Sequence, residues 1–433
     1  AGDYANRSLL SQPGGEYVGG LGYNVYTIPQ GENLIGRNGK LNPNATLGRH
    51  VWYNGEELFV TADDWMKETY RQSLRQEYNV SASGSSDKMT FFASFGYLNN
   101  KGIIEGEDMY RYTARLKADY QAKKWLKLGM NAGYTNFNWD NGNSGEGSSG
   151  STANVFAFAT SMPSIYPVYI RDAQGNIKYD KYGYKMYDYG DGSNAGQNRL
   201  PQPNANALQG STLNVNNSEG NAFNGTGFAE VSFLNDFKFT FNVGVGLDET
   251  RTTSMQNMYY GQFAANGGII SKSHARSFYV NMQQLLNYNK TFAGVHNVSA
   301  LIGHETYRNS GVSLSATRSK MFSIHNLELD GAIIDGQSSS SSRGLYNNEG
   351  FLSRVQYDYM NKIFVSASYR RDASSKFHPD NRWGNFWSLG GGWIINDEPW
   401  FNARWIDMLK LKASVGSQGN DNIGSYLYTD TYQ

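Results

Sequence analysis

The chain has 433 residues and no net charge, with 38 Lys and Arg against 38 Asp and Glu. That balance argues against nucleic acid as a partner, because phosphate binding needs a basic surplus. A charged share of 18 % excludes a coiled coil or a charged disordered tail, and the absence of Cys excludes disulfides, thiolate metal sites and thiol nucleophiles. Mean hydropathy is −0.59, and no apolar run approaches the roughly 18 residues of a spanning helix. A membrane β-barrel is not excluded, since its strands show the bilayer only every second residue. Ala1 is not an initiator Met, and the chain stops in a strand-like run at Thr429–Gln433, so truncation at both ends is expected.

Residues 1–75 lack strand periodicity. Within them Thr61-Ala62-Asp63-Asp64-Trp65 predicts a short helix through Gln72, with Thr61 or Asp63 at its start. From residue 76 the strand period takes over. Met89, Phe91, Ala93, Phe95 and Tyr97 share one face, with Ser94 and Gly96 on the other. Tyr112, Ala114, Leu116, Ala118 and Tyr120 alternate with Arg111, Thr113, Arg115, Lys117 and Asp119. Leu126, Leu128, Met130, Ala132 and Tyr134 do so against Lys127, Asn131 and Thr135. The same period runs through Phe237–Leu247 and Ile363–Tyr369. About thirteen strands follow from it, each near the length that crosses a bilayer.

Short connections are expected near Ser86-Asp87, Gln121-Ala122-Lys123, Asn235-Asp236, Phe292-Ala293-Gly294 and Asn361-Lys362, and a moderate one at Asn396–Asp407. Long ones fall at 99–109, 140–220, 250–272, 309–345 and 373–382. Short and long take turns, so one end of the sheet carries tight turns and the other large loops, as in transmembrane barrels. The first stretch, 1–75, belongs on the long-loop side by this alternation. The Ser run 338–342 is expected to be mobile.

One strand face is apolar, with Tyr, Phe and Trp towards its ends, which suits a membrane boundary. The other face carries Arg, Lys, Asn, Ser and Asp and must meet water or a plug, because a bilayer would charge roughly 2–4 kcal/mol for a midplane Lys or Arg. Arg111, Arg115 and Arg370 are expected on that inner wall, against a plug or in hydrogen bonds along the wall. In the long loop, Tyr182, Tyr184, Tyr187 and Tyr189 either meet ligand or a surface partner, or pack the loop on itself. Trp139, at a strand–loop junction, is read as a membrane-boundary anchor or a ligand platform.

Chemical motifs are few. Gly145-Glu146-Gly147-Ser148-Ser149-Gly150 matches a dinucleotide fingerprint but opens a polar loop rather than a βαβ unit. Ser85-Ser86-Asp87-Lys88 matches S-x-x-K in a tight turn and lacks companion motifs. Asp140–Gly145 lacks the ligands of an EF-hand, though another loop-bound Ca²⁺ stays open. The six His are scattered. No cofactor, metal site or catalytic set is expected, and the protein is read as not an enzyme.

Several segments resemble the SusC/RagA family of TonB-dependent outer-membrane transporters of Bacteroidota. Gly96-Tyr97-Leu98, Lys101-Gly102-Ile103-Ile104 and Arg111-Tyr112 resemble its early barrel hairpin. Arg370-Arg371-Asp372-Ala373-Ser374-Ser375-Lys376-Phe377 is similar to its RRDGSSRF run, with Ala373 where Gly is commoner. Arg382-Trp383-Gly384, Leu409–Gly416 with Gly419-Asn420, and Asp63-Asp64-Trp65 also fit, so the likeness spans about residues 24 to 426. It implies an all-β fold: part of a 22-stranded plugged antiparallel β-barrel in the cell outer membrane, with the plug and last strands outside this chain. It also implies uptake of oligosaccharides or oligopeptides, a SusD-like surface lipoprotein, outer-membrane lipid as surroundings, and TonB–ExbB–ExbD acting through the plug region. A soluble secreted glycan-binding β-protein and an outer-membrane β-barrel enzyme are the alternatives.

Overall fold

The computed structural model describes residues 24–429, apart from 36–37, 143–153, 195, 197, 200–201, 262, 336–337, 404 and 426. The dinucleotide-like run Gly145–Gly150, the second half of Asp140–Gly145 and the strand-like end Asp430–Gln433 lie outside the described residues. Two small ladders come first: β1 (Tyr26–Thr27) with β2 (Thr46–Leu47), and β3 (Arg49–Tyr53) with β4 (Glu56–Val60). Helix α1 spans Trp65–Thr69. Its cap is Asp64, whose Oδ1 accepts from the backbone N–H groups of Met66 and Lys67, both at 3.1 Å. The expected helix is thus shorter at both ends, because Thr61 and Asp63 precede it and the Asp63 carboxylate is used elsewhere.

The main sheet then begins with β5 (Arg75–Ser85), β6 (Met89–Lys101), β7 (Glu107–Lys123) and β8 (Leu126–Asn141). Helices α2 (Val155–Ser161) and α3 (Ala207–Leu213) interrupt it. It resumes with β9 (Val215–Phe233), β10 (Phe237–Gln256), β11 (Ile269–Phe292), β12 (His296–Met321), β13 (Ala332–Asp335) and β14 (Ser340–Tyr359). It ends with β15 (Ile363–Ser374), β16 (Trp383–Ile394) and β17 (Lys410–Ser417). These thirteen strands form one antiparallel meander in which each pairs with its chain neighbour; only β13 leaves the path, pairing with the end of β12. Strands β5 and β17 are the two ends of the order, so the described sheet is open.

The strands are taller than expected. β10, β11 and β12 have 20, 24 and 26 residues, whereas crossing hydrocarbon takes about 9–11. On β10 the apolar face runs from Phe237 to Leu247, and the same face then carries Glu249 and Arg251. On β12 it changes from Ile302 to Thr306 and Arg308. The upper half of each tall strand therefore stands clear of the apolar band. The long connections shrink accordingly, 250–272 to 257–268 and 99–109 to 102–106. The turn expected at Gln121–Lys123 moves on to 124–125 through a bulge between Gln121 and Lys123. The Ser run is a strand, not a mobile tail: Ser340, Ser341 and Ser342 pair with Ser315, Leu314 and Ser313, and the Ser313 and Ser342 hydroxyls meet at 2.7 Å. Small hydroxyl side chains facing each other across a ladder outweigh the low-complexity signal.

Register fixes the two faces. Residues directly opposite in an antiparallel ladder lie on one side. Phe95, Ala114, Tyr134, Phe223, Leu247 and Phe278 therefore share a side, as do Ile302, Ser353 and Tyr369 further on. Apolar residues of this side stay open: Phe95, Ile302, Val365 and Leu389 are 50 % to 57 % exposed. Rings close the turn end of the band, with Phe233 and Phe237 stacked at 5.6 Å and Phe237 against Tyr288 at 4.8 Å. The buried core lies elsewhere, at the loop end, where Val25, Val60, Trp65, Ile104, Val155, Phe158 and Tyr166 form one cluster.

Val365→Arg on the apolar side of β15 is expected to destabilise the folded protein in lipid vesicles by roughly 2–4 kcal/mol. Ser366→Arg, one residue on and facing the other way, is expected to cost little. Urea unfolding followed by tryptophan fluorescence checks the contrast; equal losses would contradict the assignment of faces.

Candidate functional site at the loop end

The three residues Asp63, Asp64 and Trp65 each build a different part of the cap over the loop end. Asp63 takes a two-pronged ion pair from Arg171, Nη2 to Oδ1 at 2.6 Å and Nη1 to Oδ2 at 3.0 Å, and also accepts from the Val168 N–H at 2.7 Å. Asp64 caps α1. Trp65 is buried and donates its indole N–H to the Tyr166 carbonyl at 2.9 Å. Residues 24–70 thus share a core with 155–208.

The Tyr-rich loop folds as a small meander. Bridges join Tyr169 to Tyr187, Arg171 to Ile177, and Tyr179 to Lys185. Its turns repeat every eight residues at Asp172, Asp180 and Asp188. Asp172 Oδ1 accepts from the N–H of Gln174 and Asn176, and Asp180 Oδ1 from those of Tyr182 and Tyr184. Gly175 and Gly183 take the left-handed backbone these turns need.

Asp188 is instead buried beside Arg199, whose side chain has no exposure. The guanidinium lies 3.4 Å from Asp188 Oδ1, donates to the carbonyls of Ala205 at 2.7 Å and Gln202 at 3.0 Å, and faces the rings of Trp65, Phe158 and Tyr166 within 6 Å. A buried cation persists only with such compensation. This centre ties the segment 188–206 to α1 and α2.

The four loop tyrosines separate. Tyr187 packs on Tyr169 with ring centroids 5.0 Å apart, and Tyr189 stacks on Tyr260 at 6.2 Å. Burial pushes both phenols above the ordinary tyrosine range. Tyr184 is half-buried against Tyr259 and reaches His325 at 3.4 Å. Tyr182 is half exposed and lies on Tyr259 at 4.4 Å. Tyr260 donates its hydroxyl to Asp180. Burial works against charge on Asp180, yet the hydrogen bonds from Tyr260 and the Tyr184 and Tyr182 N–H groups hold its carboxyl below the usual value.

Trp139 lies on the polar side. It pairs with Met109 and Ser218, in phase with Arg111 and Thr135, so it is not on the apolar side where a boundary anchor would sit. Arg111, Arg115 and Arg370 share the polar side by the same register. Arg370 is bound along the wall, to Asp372 at 2.7 Å and Glu305 at 3.2 Å. Arg111 Nε is buried without a hydrogen-bond partner among the described residues. Around Arg370 the segment resembling RRDGSSRF brackets neighbouring loops: Ser375 N–H donates to the Asn347 carbonyl at 2.9 Å, and Lys376 Nζ to the Asp421 carbonyl at 3.0 Å.

Sequence reading missed Arg199, Asp188, Asn206, Tyr259 and Tyr260. The eight-residue spacing of Asp172, Asp180 and Asp188, with Gly175 and Gly183 three residues after the first two, is the signal that marks the meander. Nothing local marks Tyr259 and Tyr260, which meet the loop only across the sheet end. Between them lies a cleft of about 440 Å³ lined by Tyr189, Asn206, Asn214, Gln256, Asn257 and Tyr260 among others.

Arg199→Met is expected to loosen the cap by roughly 3–5 kcal/mol, because it removes the cation beside the buried Asp188 carboxylate, which keeps only neutral donors such as the Gly190 N–H and Asn194 Nδ2. Limited proteolysis between residues 155 and 213 reads this out, and unchanged protection would contradict the role given to the pair. The depressed Asp180 carboxyl gives stability that is fully present above its unfolded value, about pH 4, and is lost only as pH falls through its lower folded value. Cleavage near 180–184 should therefore stay constant from neutral pH to about pH 4, while Asp180→Asn should already cleave faster at neutral pH.

No family model matches the chain. The TonB-dependent receptor P39 of Formosa agariphila is 26 % identical over 86 % of this chain and 33 % of its own length. The TonB-dependent receptor SusC of Bacteroides thetaiotaomicron is 23 % identical over 94 % of this chain and 42 % of its own. The solved RagAB peptide transporter superposes with a TM-score of 0.66 at 23 % identity, over 87 % of this chain and 40 % of that one. The chain thus spans about a third to two fifths of the relatives it matches. These relatives are receptors and transporters rather than enzymes. The resemblance to SusC/RagA-type TonB-dependent receptors therefore holds in sequence and in fold, and with it an outer-membrane β-barrel.

Proposed function

We propose that this chain forms part of the wall and the external cap of an active importer that takes up oligosaccharides or oligopeptides. The observation that carries the reading is the division of one tall sheet into an apolar side and a polar, Arg- and Lys-bearing side, under a cap rich in Tyr and Asn. A soluble glycan-binding protein would have no use for the apolar side, which stays uncovered among the described residues. Residues 1–75 and the Tyr-rich loop lie outside the cell in this reading, and the short turns face the periplasm.

Energy would come from TonB–ExbB–ExbD acting on a plug, and a SusD-like lipoprotein would sit over the cap. Both similarities support this: the relatives are named for TonB dependence, and RagAB is named as a peptide transporter. On the inner wall, Arg111 and Arg115 are the side chains offered to plug or cargo, since Arg370 is already held by Asp372 and Glu305. Of the four loop tyrosines singled out, Tyr182 is the exposed one and is the side chain offered to cargo or lipoprotein.

Deletion of the gene in its host is expected to abolish growth on one glycan or peptide as sole nutrient, with growth on the corresponding monomers kept. Deletion of tonB should give the same phenotype. Mild-detergent purification of the full-length protein should bring a surface lipoprotein with it. Unaffected growth on all polymeric nutrients would refute import.

A further inference from the structure

At the upper edge of the apolar band, the apolar side of β11, β12 and β14 carries a patch that import does not use. Register sets its residues in rows, one above another. Arg276, Val312 and Arg343 form the upper row, Phe278, Ser310 and Leu345 the middle one, and Val280, Arg308 and Asn347 the lower. All lie on the side of Ile302, because Arg308, Ser310 and Val312 stand at even spacings from it along β12. Cations therefore occupy the corners, with apolar residues between them. Arg276 and Arg343 are two ladder spacings apart, about 10 Å, and Arg308 lies four residues below Val312, about 13 Å. Side chains as long as arginine can converge on one group across that span.

The three arginines are exposed and make no ion pair among the described residues. The carboxylates on this side of β9 to β14 are engaged with other bases. Glu219 meets Arg251 at 3.5 Å, and Glu349 meets His304 at 2.9 Å. Glu249 stands opposite Arg276 in the ladder, yet its carboxylate meets His274 at 3.0 Å. Like charges gathered at the rim of a nonpolar surface repel one another, and a shared anion relieves all three at once. Guanidinium groups suit phosphate in particular, because their paired N–H donors match its oxygens. The uncharged part of the patch points to what carries that phosphate. Phe278, Val312 and Leu345 are exposed, and Phe278 and Val280 continue the apolar face of β11 below the charges. A free phosphate would leave this surface bare, whereas a lipid covers it with hydrocarbon.

We propose that this patch binds a phosphate-bearing lipid of the outer leaflet. Arg276, Arg308 and Arg343 take the phosphate, the Ser310 hydroxyl and Asn347 amide supply further donors, and acyl carbons run down along Phe278 and Val280. The proposal rests on the reading that puts the loop end outside the cell.

Native mass spectrometry of the full-length protein in neutral detergent tests this with monophosphoryl lipid A and its dephosphorylated form, which differ only in the phosphate. The phosphorylated form should bind about tenfold more tightly. The triple variant Arg276→Gln, Arg308→Gln, Arg343→Gln should lose that preference with an unchanged melting temperature, and Arg354→Gln, on the opposite side of β14, should keep it. Equal binding of the two forms by the unaltered protein would overturn the proposal without any variant, as would a preference that survives the triple variant. Displacement of lipid A by inorganic phosphate, but not by chloride at equal ionic strength, would overturn the lipid as occupant. A triple variant that loses an oligomer yet keeps the lipid preference would assign the patch to contact between copies instead. The orientation is read separately: a membrane-impermeant maleimide should label Tyr182→Cys on intact cells. Absence of label would overturn the external placement of the loop end, and with it the outer leaflet as the source of the lipid.

Discussion

Backbone pairing at strand spacing is the constraint on which everything else here depends. A strand in hydrocarbon must place every N–H and C=O in a ladder, and once it does, neighbouring side chains point to opposite sides. Ile302 and Val365 then lie on the apolar side because Leu301 and Ser366 lie on the other, and no local preference can alter one without the other. A slip of one residue between β12 and β14 would bring Arg354 to the lipid side in place of Val355, which is why the register is so regular along these ladders.

The same ladders continue beyond the apolar band and serve a second purpose there. β10, β11 and β12 carry their backbone pairing up to Gln256, Ile269 and Met321. Their ends supply Met255, Ile270 and Met321 as buried apolar residues against which Tyr184, Tyr259 and Tyr260 rest. A long loop anchored this way does not need high intrinsic order. It needs a few fixed points, and the structure provides them as Asp63 with Arg171, Asp188 with Arg199, and the aspartate turns of the meander.

The expectations that failed, and the alternatives left open, were decided where tertiary neighbours outweigh composition. Ser340–Ser342 reads as a flexible run, yet it continues a strand because Ser313 and Ser315 stand opposite and exchange hydroxyl bonds with it. Trp139 reads as a boundary aromatic from its place at a strand end, but the parity of β8 turns it to the polar side. The loop tyrosines divide between packing and exposure: Tyr187 and Tyr189 are drawn under other rings, while Tyr182 keeps an open face. Arg370 is saturated by Glu305 from β12, a strand some sixty-five residues away in sequence.

By itself the sequence determined the strand period, the alternation of short and long connections, and the side of the sheet on which most residues lie, because these depend on spacing along one strand. It also carried the family likeness, since motifs such as Arg370–Phe377 are contiguous. Only the tertiary structure decided how far the strands rise, which tyrosines are buried, and that Asn206, Gln256 and Tyr260 face one cleft. Those outcomes are set by contacts between segments tens of residues apart, where burial and hydrogen-bond partners are contributed by the rest of the fold.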